Sequence, residues 1–113
     1  MDTRERKKIQ FSVDGVDYTL FYTVQSIRKM ERDGFDFAEM DKNIANLGYD
    51  LFNGAFIANH PHIPPKERDR LYDLLIAEND DGQNLIGCLA EMAGDELEFI
   101  INKPQGNVKW AMV

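Results

Sequence analysis

The sequence is short of the features on which several protein classes depend. It contains one cysteine, Cys88, so no disulfide can form within the chain, and this usage is typical of a reducing compartment. Its apolar runs are short, such as the four residues 55–58, whereas a membrane-spanning helix needs about 20. The charged residues 2–8 are not followed by the apolar region of a signal peptide. These absences predict a soluble cytoplasmic protein.

Positive charge is scarce as well. The 13 Lys and Arg residues stand against 20 Asp and Glu residues, which gives a net charge of −7. An acidic surface repels phosphate backbones and anionic lipid headgroups, so we expect binding to neither nucleic acid nor membranes. Hydrophobic residues make up 43% of the chain and charged residues 29%, as in ordinary globular domains. At 113 residues the chain suits one domain with one core.

The first ordered unit that the sequence predicts is a β-hairpin. Asp14-Gly15 is typical of a two-residue turn in which both residues have positive φ. A turn at this position sets the register of the two strands, with one apolar face and one mostly polar face. Phe21 is the exception, since it falls on the polar face. The predicted pairs are Val13–Val16, Ser12–Asp17, Phe11–Tyr18, Gln10–Thr19 and Ile9–Leu20.

The residues after the hairpin predict one complete helix and the start of another. Thr23 can cap a helix whose apolar stripe includes Ile27, and Gly34 follows its end. Asp36 and Glu39 have the spacing of a capping box. We therefore expect a second helix to begin at Asp36.

A broad arc of apolar residues predicts a central helix over residues 41–60. The arc covers roughly 200°, wider than the stripe of a helix with one buried side, so we expect this helix to be covered on two sides. Gly48 and Gly54 each lower its intrinsic stability by about 1 kcal/mol relative to Ala, so packing must support it. The apolar residues of the arc are Ile44, Leu47, Leu51, Phe52, Ala55, Phe56 and Ala58.

Three shorter helical segments follow. Pro65 suits the first turn of a helix that residues 79–82 end. An apolar stripe over residues 85–93 predicts the next helix, which Gly94 closes. Capping-box spacing from Asp95 then predicts a last short helix.

Together these patterns predict an α+β fold, mainly helical, in which an N-terminal hairpin packs on a bundle of four to five helices. The single domain, 1–113, divides into a flexible basic arm (1–8), the hairpin (9–22), a helical region (23–101) and a tail (102–113). The arm would also suit docking on the acidic face of a neighbouring copy. The alternation of apolar residues in the tail is compatible with a third strand beside the hairpin.

Few residues suit catalysis or metal binding. His60 and His62 are the only histidines, and no acidic residue or cysteine lies within three positions of them. We interpret them as partly exposed imidazoles at a helix end. Cys88 lies in an apolar stripe, which favours a buried thiol over a nucleophile. We therefore expect no catalytic residue, no metal ligand and no cofactor.

Three motifs along the chain suggest a family. They are residues 11–20 (FSVDGVDYTL), residues 26–37 (SIRKME leading into GFDF) and residues 51–64 (LFNGAF running into HPHIP), followed by an acidic helix. In this order, over about residues 9–100, the chain resembles the tail assembly chaperones of long-tailed phages and prophages of Gram-positive bacteria. The tail 102–113 has no counterpart in that pattern.

The resemblance implies a non-enzymatic role. Members of that family coat the long, largely helical tape-measure protein in the bacterial host cytoplasm before the tail tube polymerises, and they are absent from the mature virion. They self-associate into rings or helical oligomers. A longer frameshifted form often recruits the tail tube protein.

Such a chaperone needs exposed apolar contacts and free strand edges. The unpaired edges of the hairpin offer sites for strand addition by a neighbour. Candidate contact residues are Phe21, on the polar face of the hairpin, Tyr49, Phe52 and Phe56 on the far edge of the central helix, and Trp110 in the tail. For each the alternative is ordinary core packing, which we favour for Phe52 and Phe56.

Two other functions remain open from the sequence. The first is a small acidic regulatory or inhibitor binding module encoded by a prophage, such as a mimic of nucleic acid. Acidic residues at helix starts and turns, rather than along one face, weaken the idea of a mimic. The second is a small metal-dependent hydrolase that uses His60 and His62.

Overall fold

The computed structural model describes residues 6–42, 44–102 and 111–112. Their elements are two strands, β1 (Ile9–Val13) and β2 (Val16–Leu20), and four α-helices, α1 (Val24–Arg32), α2 (Ile44–Asn59), α3 (Pro65–Tyr72) and α4 (Gly82–Ile101). A 3₁₀ turn, Phe37–Lys42, precedes α2, and a π-helical turn, Asp73–Ala77, continues α3. The predicted α+β architecture, an N-terminal hairpin on a set of helices, is confirmed.

The hairpin has the predicted register. Strands β1 and β2 are antiparallel, and all five predicted pairs form, from Val13–Val16 beside the turn to Ile9–Leu20 at the open end. Asp14 has φ 53° and Gly15 has φ 79°, as the two-residue turn requires.

Helix α1 begins and ends where the sequence predicts. The Thr23 side chain accepts a hydrogen bond from the Ser26 backbone N–H at 3.1 Å, and the Ser26 hydroxyl accepts one from the Thr23 N–H at 2.8 Å. At the other end Gly34 has φ 103°, and the Phe35 N–H donates to the Met30 carbonyl. These reciprocal caps satisfy backbone groups that a helix end leaves without partners.

Helix α2 lies at the centre of the molecule. It packs against β2, α1, α3 and α4, so the expectation that it is covered on more than one side is confirmed. Phe52 and Phe56 are fully buried and stack on each other with 5.3 Å between ring centroids. The buried apolar residues are Tyr18, Leu20, Tyr22, Ile27, Met30, Leu51, Phe52, Ala55, Phe56, Leu71, Ile76, Leu89, Met92 and Ala93.

The helix start predicted at Asp36 is wrong for an α-helix. The Asp36 carboxylate accepts a hydrogen bond from the Ala38 N–H at 3.0 Å, which makes a local turn instead of a capping box. Glu39 has φ −116° and ψ 24°, so the chain kinks within the 3₁₀ turn. Helix α2 begins only at Ile44.

The break predicted at Gly94 is also wrong, because α4 is one helix of 20 residues. Gly94 keeps a helical conformation, while Ala93 before it and Glu96 after it are buried on the same side. Burial of this continuous face outweighs the weak helix propensity of one glycine, about 1 kcal/mol. No described helix, α4 included, combines the length and apolar character needed to cross a membrane.

The terminal segments are described in part. The Arg6 Nε donates to the Glu96 Oε1 at 3.0 Å, and the Lys7 Nζ lies 3.3 Å from Glu91 and 3.2 Å from Asp95. Residues 6 and 7 of the segment that we expected to be flexible are therefore bound to α4 of the same chain. The third strand predicted for the tail falls mainly on residues 103–110, outside the described residues.

The buried hydroxyl of Tyr22 leads to a prediction about alkaline pH. It donates a 2.6 Å hydrogen bond to the Leu51 carbonyl oxygen. Burial raises the pKa of Tyr22, so the folded protein keeps this proton at pH values where an unfolded tyrosine, with a pKa of about 10, loses it. Because the unfolded state then binds fewer protons, the stability is fully present below about pH 10 and falls as the pH rises above it.

We expect Tyr22→Phe to lower the free energy of unfolding by about 0.5–1.5 kcal/mol at neutral pH, through loss of the hydrogen bond. The variant should also lose less stability than the wild-type protein between about pH 10 and 12. Urea titrations over a pH series measure both effects. An identical alkaline slope in the two proteins would contradict the role given to the buried hydroxyl.

Candidate interaction site

A groove between α1 and α2 is a candidate binding surface. It encloses about 490 Å³. Its apolar lining comes from Met30 and Phe35 on one side and from Gly54, Ile57 and Ala58 on α2. Gly54 brings the helices close, since a Cβ atom there would lie 2.3 Å from the Met30 Sδ. At this glycine, which weakens α2 as an isolated helix, the Met30 side chain therefore packs directly on the backbone of α2.

Polar groups surround this apolar lining. The Asn53 Oδ1 is buried and accepts no hydrogen bond from the described residues. Partial burial raises the pKa of the nearby Asp50 carboxyl. On the α1 side, the Lys29 Nζ and the Asp33 Oδ2 form an exposed ion pair at 2.8 Å. The rim thus offers charges of both signs.

The outer edge of β2 is covered by the end of α2. The Thr19 N–H donates to the His60 Nε2 at 3.1 Å, and the Thr19 carbonyl oxygen lies 3.2 Å from the same nitrogen. The Asn59 side chain donates to the Phe21 carbonyl oxygen at 3.2 Å. These contacts occupy backbone groups that a further strand would need beside β2.

The outer edge of β1 is open among the described residues. In a two-residue hairpin the Val13–Val16 pair next to the turn is hydrogen-bonded, and the pairs alternate from there. The backbone groups of Gln10 and Ser12 therefore point away from β2. No hydrogen bond joins these backbone groups to another described residue. Within the described residues the hairpin thus has one covered edge and one open edge.

The predicted contact residues do not form one surface. Phe52 and Phe56 are fully buried, so they belong to the core, which is the alternative favoured from the sequence. Phe21 is half-buried, with the Lys8 Nζ 5.3 Å from its ring centroid. Trp110 lies outside the described residues.

Tyr49 is held by its own neighbours. Its hydroxyl donates to the Asp69 Oδ1 at 2.6 Å, and this hydrogen bond raises the pKa of Tyr49. Its ring meets Tyr72 edge-on with 5.2 Å between centroids. Neither Tyr49 nor Phe21 lines the groove.

One of the two histidines, His60, serves the packing of the hairpin on α2. The His60 ring lies edge-on to Tyr18 with 5.4 Å between centroids, and its Nε2 contacts the β2 backbone as described. His62 is exposed. Within the described residues no group of three His, Cys, Asp or Glu side chains is placed to hold a metal ion.

Cys88 is exposed, so the prediction of a buried thiol is wrong. Leu89 faces the core, and Cys88 precedes it by one position, about 100° around the helix. Of these two neighbouring residues in the apolar run, Leu89 therefore faces the core and Cys88 faces solvent. The width of the buried stripe of α4 depends on how close α2 lies to it. The spacing of apolar residues along the chain does not specify that distance.

Comparison with known proteins identifies a family. Residues 5–113 match a family described as a domain of unknown function, DUF5055. No curated protein and no solved structure matches the chain. Because the match covers nearly the whole sequence, this chain belongs to the DUF5055 family.

Proposed function

We propose that the protein is a non-enzymatic tail assembly chaperone of a long-tailed phage or prophage. It binds the tape-measure protein and copies of itself in the bacterial host cytoplasm, and it is absent from the mature virion. A longer frameshifted form would bring in the tail tube protein. The sequence resemblance over about residues 9–100 supports this role, and the groove between α1 and α2 is the observation that carries it.

The groove suits the binding of one α-helix of a partner. Helices pack 8–10 Å apart on average, and small residues at the crossing allow the closest approach. Ala58 is such a residue, and it lies beside the apolar Ile57 on α2, whereas the space at Gly54 is filled by Met30. An amphipathic helix would place its apolar face against Met30 and Phe35, as in other helix-in-groove complexes. We assign this position to a helical segment of the tape-measure protein.

The polar rim would set the orientation of that helix. The exposed Lys29–Asp33 ion pair on the α1 side would meet polar or charged side chains of the partner. The Asp50 carboxyl, whose pKa is raised by burial, would gain a partner in a basic side chain of the bound helix. Each of these contacts contributes little affinity alone. Many copies of the protein bound along one long helical partner would together bind it more tightly.

A bulky charge in the groove is expected to block this binding. Ala58 lines the groove and is exposed, so Ala58→Arg would place a guanidinium where the partner helix must lie. We expect the affinity of this variant for the tape-measure protein of the same phage to fall about tenfold or more. Its free energy of unfolding should change by less than about 0.5 kcal/mol. Titration calorimetry or quantitative pull-down with purified proteins measures the affinity.

Ala77→Arg is the matched control, because Ala77 is an exposed alanine that does not line the groove. This variant should bind the tape-measure protein as the wild type does. Equal affinities of both variants would exclude the groove as the binding site. A wild-type protein that fails to bind the tape-measure protein at all would contradict the chaperone function.

A further inference from the structure

We propose that two copies of the chain pair through the open edge of β1. The two β1 strands would run antiparallel and form a four-stranded sheet in the order β2–β1–β1–β2. This inference names the surface for the self-association included in the proposed function, and it rests on that function to this extent. The occupant of the edge is a second copy of the same chain.

The edge has the properties of a strand that accepts a neighbour. Natural sheets protect free edges with charged residues, proline or bulges. Strand β1, whose sequence is IQFSV, has none of these, and its five residues pair with β2 without a bulge. Its outward backbone groups belong to Gln10 and Ser12, which have no backbone partner among the described residues.

One register matches the two strands completely. Antiparallel pairing about Phe11 places Gln10 of each copy opposite Ser12 of the other, so the outward backbone groups of both strands meet. This arrangement uses all five residues of β1 in both copies. The resulting pairs are Phe11–Phe11, Gln10–Ser12, Ile9–Val13 and, just beyond the strand, Lys8–Asp14.

The charges at the ends of β1 agree with this register. Lys8 lies over the Phe21 ring and forms no ion pair within the described part of the chain, whereas Arg6 and Lys7 are paired with α4. The Asp14 side chain remains 76% exposed although its Oδ2 is 3.4 Å from the Arg70 Nη2. The twofold arrangement brings Lys8 of each copy beside Asp14 of the other. Opposite charges directly across a strand pair are stabilising, and like charges are not.

The burial on the apolar face of the hairpin also supports pairing through β1. On β2, Tyr18 and Leu20 are buried and Val16 beside the turn is 51% exposed. On β1 the residues of the same face, Ile9, Phe11 and Val13, are all only partly covered, so apolar surface remains along the length of this strand. A second hairpin would place the same three residues of another copy beside them and bury more apolar surface.

A proline substitution tests the edge. Because the Gln10 N–H points away from β2, Gln10→Pro removes a donor to the second copy and leaves the hairpin bonds in place. Sedimentation equilibrium over a concentration series should show the wild-type protein approaching twice the monomer mass. We expect Gln10→Pro to raise the dimer dissociation constant about tenfold or more, while Gln10→Thr, which retains the N–H, leaves it unchanged.

Cross-linking tests the register with variants that keep the backbone intact. In a Cys88→Ser background, Gln10→Cys and Ser12→Cys would lie opposite each other, with Cα atoms about 5.5 Å apart, a separation that a disulfide spans. Mild oxidation of a mixture of the two variants should give more disulfide-linked dimer than oxidation of either variant alone. Both side chains are exposed in the monomer, and Ser12→Cys removes only the exposed hydrogen bond from the Ser12 hydroxyl to the Asp17 carboxylate.

A wild-type protein that stays monomeric over the series, as it would if another segment of its own chain covered β1, would overturn the inference. So would cross-linking no better in the mixture than in the separate variants. The tape-measure titration separates this inference from the chaperone function, since binding of the tape-measure protein by a monomeric wild-type protein would exclude only the β1 pairing. Loss of dimer in Gln10→Pro with cross-linking in the mixture supports it.

Discussion

Replacing Phe56 with alanine is expected to lower the free energy of unfolding by about 3–5 kcal/mol, the largest effect of any substitution considered. Phe56 has no exposed surface. Its ring stacks on Phe52 and lies 5.9 Å from the Tyr18 ring and 4.9 Å from the His60 ring, centroid to centroid. The side chain therefore joins α2 to the hairpin, and its removal leaves a cavity where the two meet.

Urea titration measures this loss, with Ile101→Ala as the control. Ile101 is 77% exposed at the end of α4, so its truncation should change the free energy of unfolding by less than about 0.5 kcal/mol. A loss of 3–5 kcal/mol is a large part of the roughly 5–15 kcal/mol that holds a domain folded. A loss below about 1 kcal/mol for Phe56→Ala would contradict the central position of α2.

Gly82→Ala is expected to destabilise the protein by about 1–3 kcal/mol or more. Gly82 is buried at the first position of α4, and a Cβ atom there would lie 2.0 Å from the Ile76 carbonyl oxygen. This oxygen belongs to the backbone of the π-helical turn, so it cannot rotate away as a side chain would. Either the turn or the start of α4 must move, and both carry buried residues.

Gly87→Ala in the same helix is the matched control. A Cβ atom at Gly87 meets nothing within 4 Å, and the residue is exposed. Alanine there should raise the free energy of unfolding by about 0.5–1 kcal/mol, because it restricts the unfolded chain and favours the helix. Thermal or urea unfolding of the two variants should therefore shift in opposite directions. A shift in the same direction would contradict the close approach at Gly82.

The fold was predictable where short-range chemistry decides it. The Asp14-Gly15 turn sets the strand register because only certain residues accept positive φ, and the structure has that register. The Thr23 cap and Gly34 define α1 for the same kind of local reason. Pro65 likewise begins α3.

The candidate site was less predictable, because it depends on surfaces that distant segments share. Free hairpin edges followed from the sequence, but the covering of β2 by Asn59 and His60 depends on where the end of α2 lies. The groove arises from the crossing of α1 and α2 at Gly54, which in the sequence is only a weak helix former. Five aromatic residues were proposed as contacts, and the structure places two of them in the core.

The sequence by itself determined the α+β class, the hairpin register and the first helix, since turns, caps and alternating apolar residues act over a few positions. Only the tertiary structure decided that α4 continues through Gly94, that Asp36 makes a local turn and that Cys88 is exposed. It also decided that, in the part of the chain that the structure describes, one strand edge is covered and the other open. The continuation of α4 and the exposure of Cys88 depend on which face of α4 is buried against distant segments, and that burial outweighs local preferences of about 1 kcal/mol. The Asp36 turn depends instead on a local hydrogen bond that competes with helix capping.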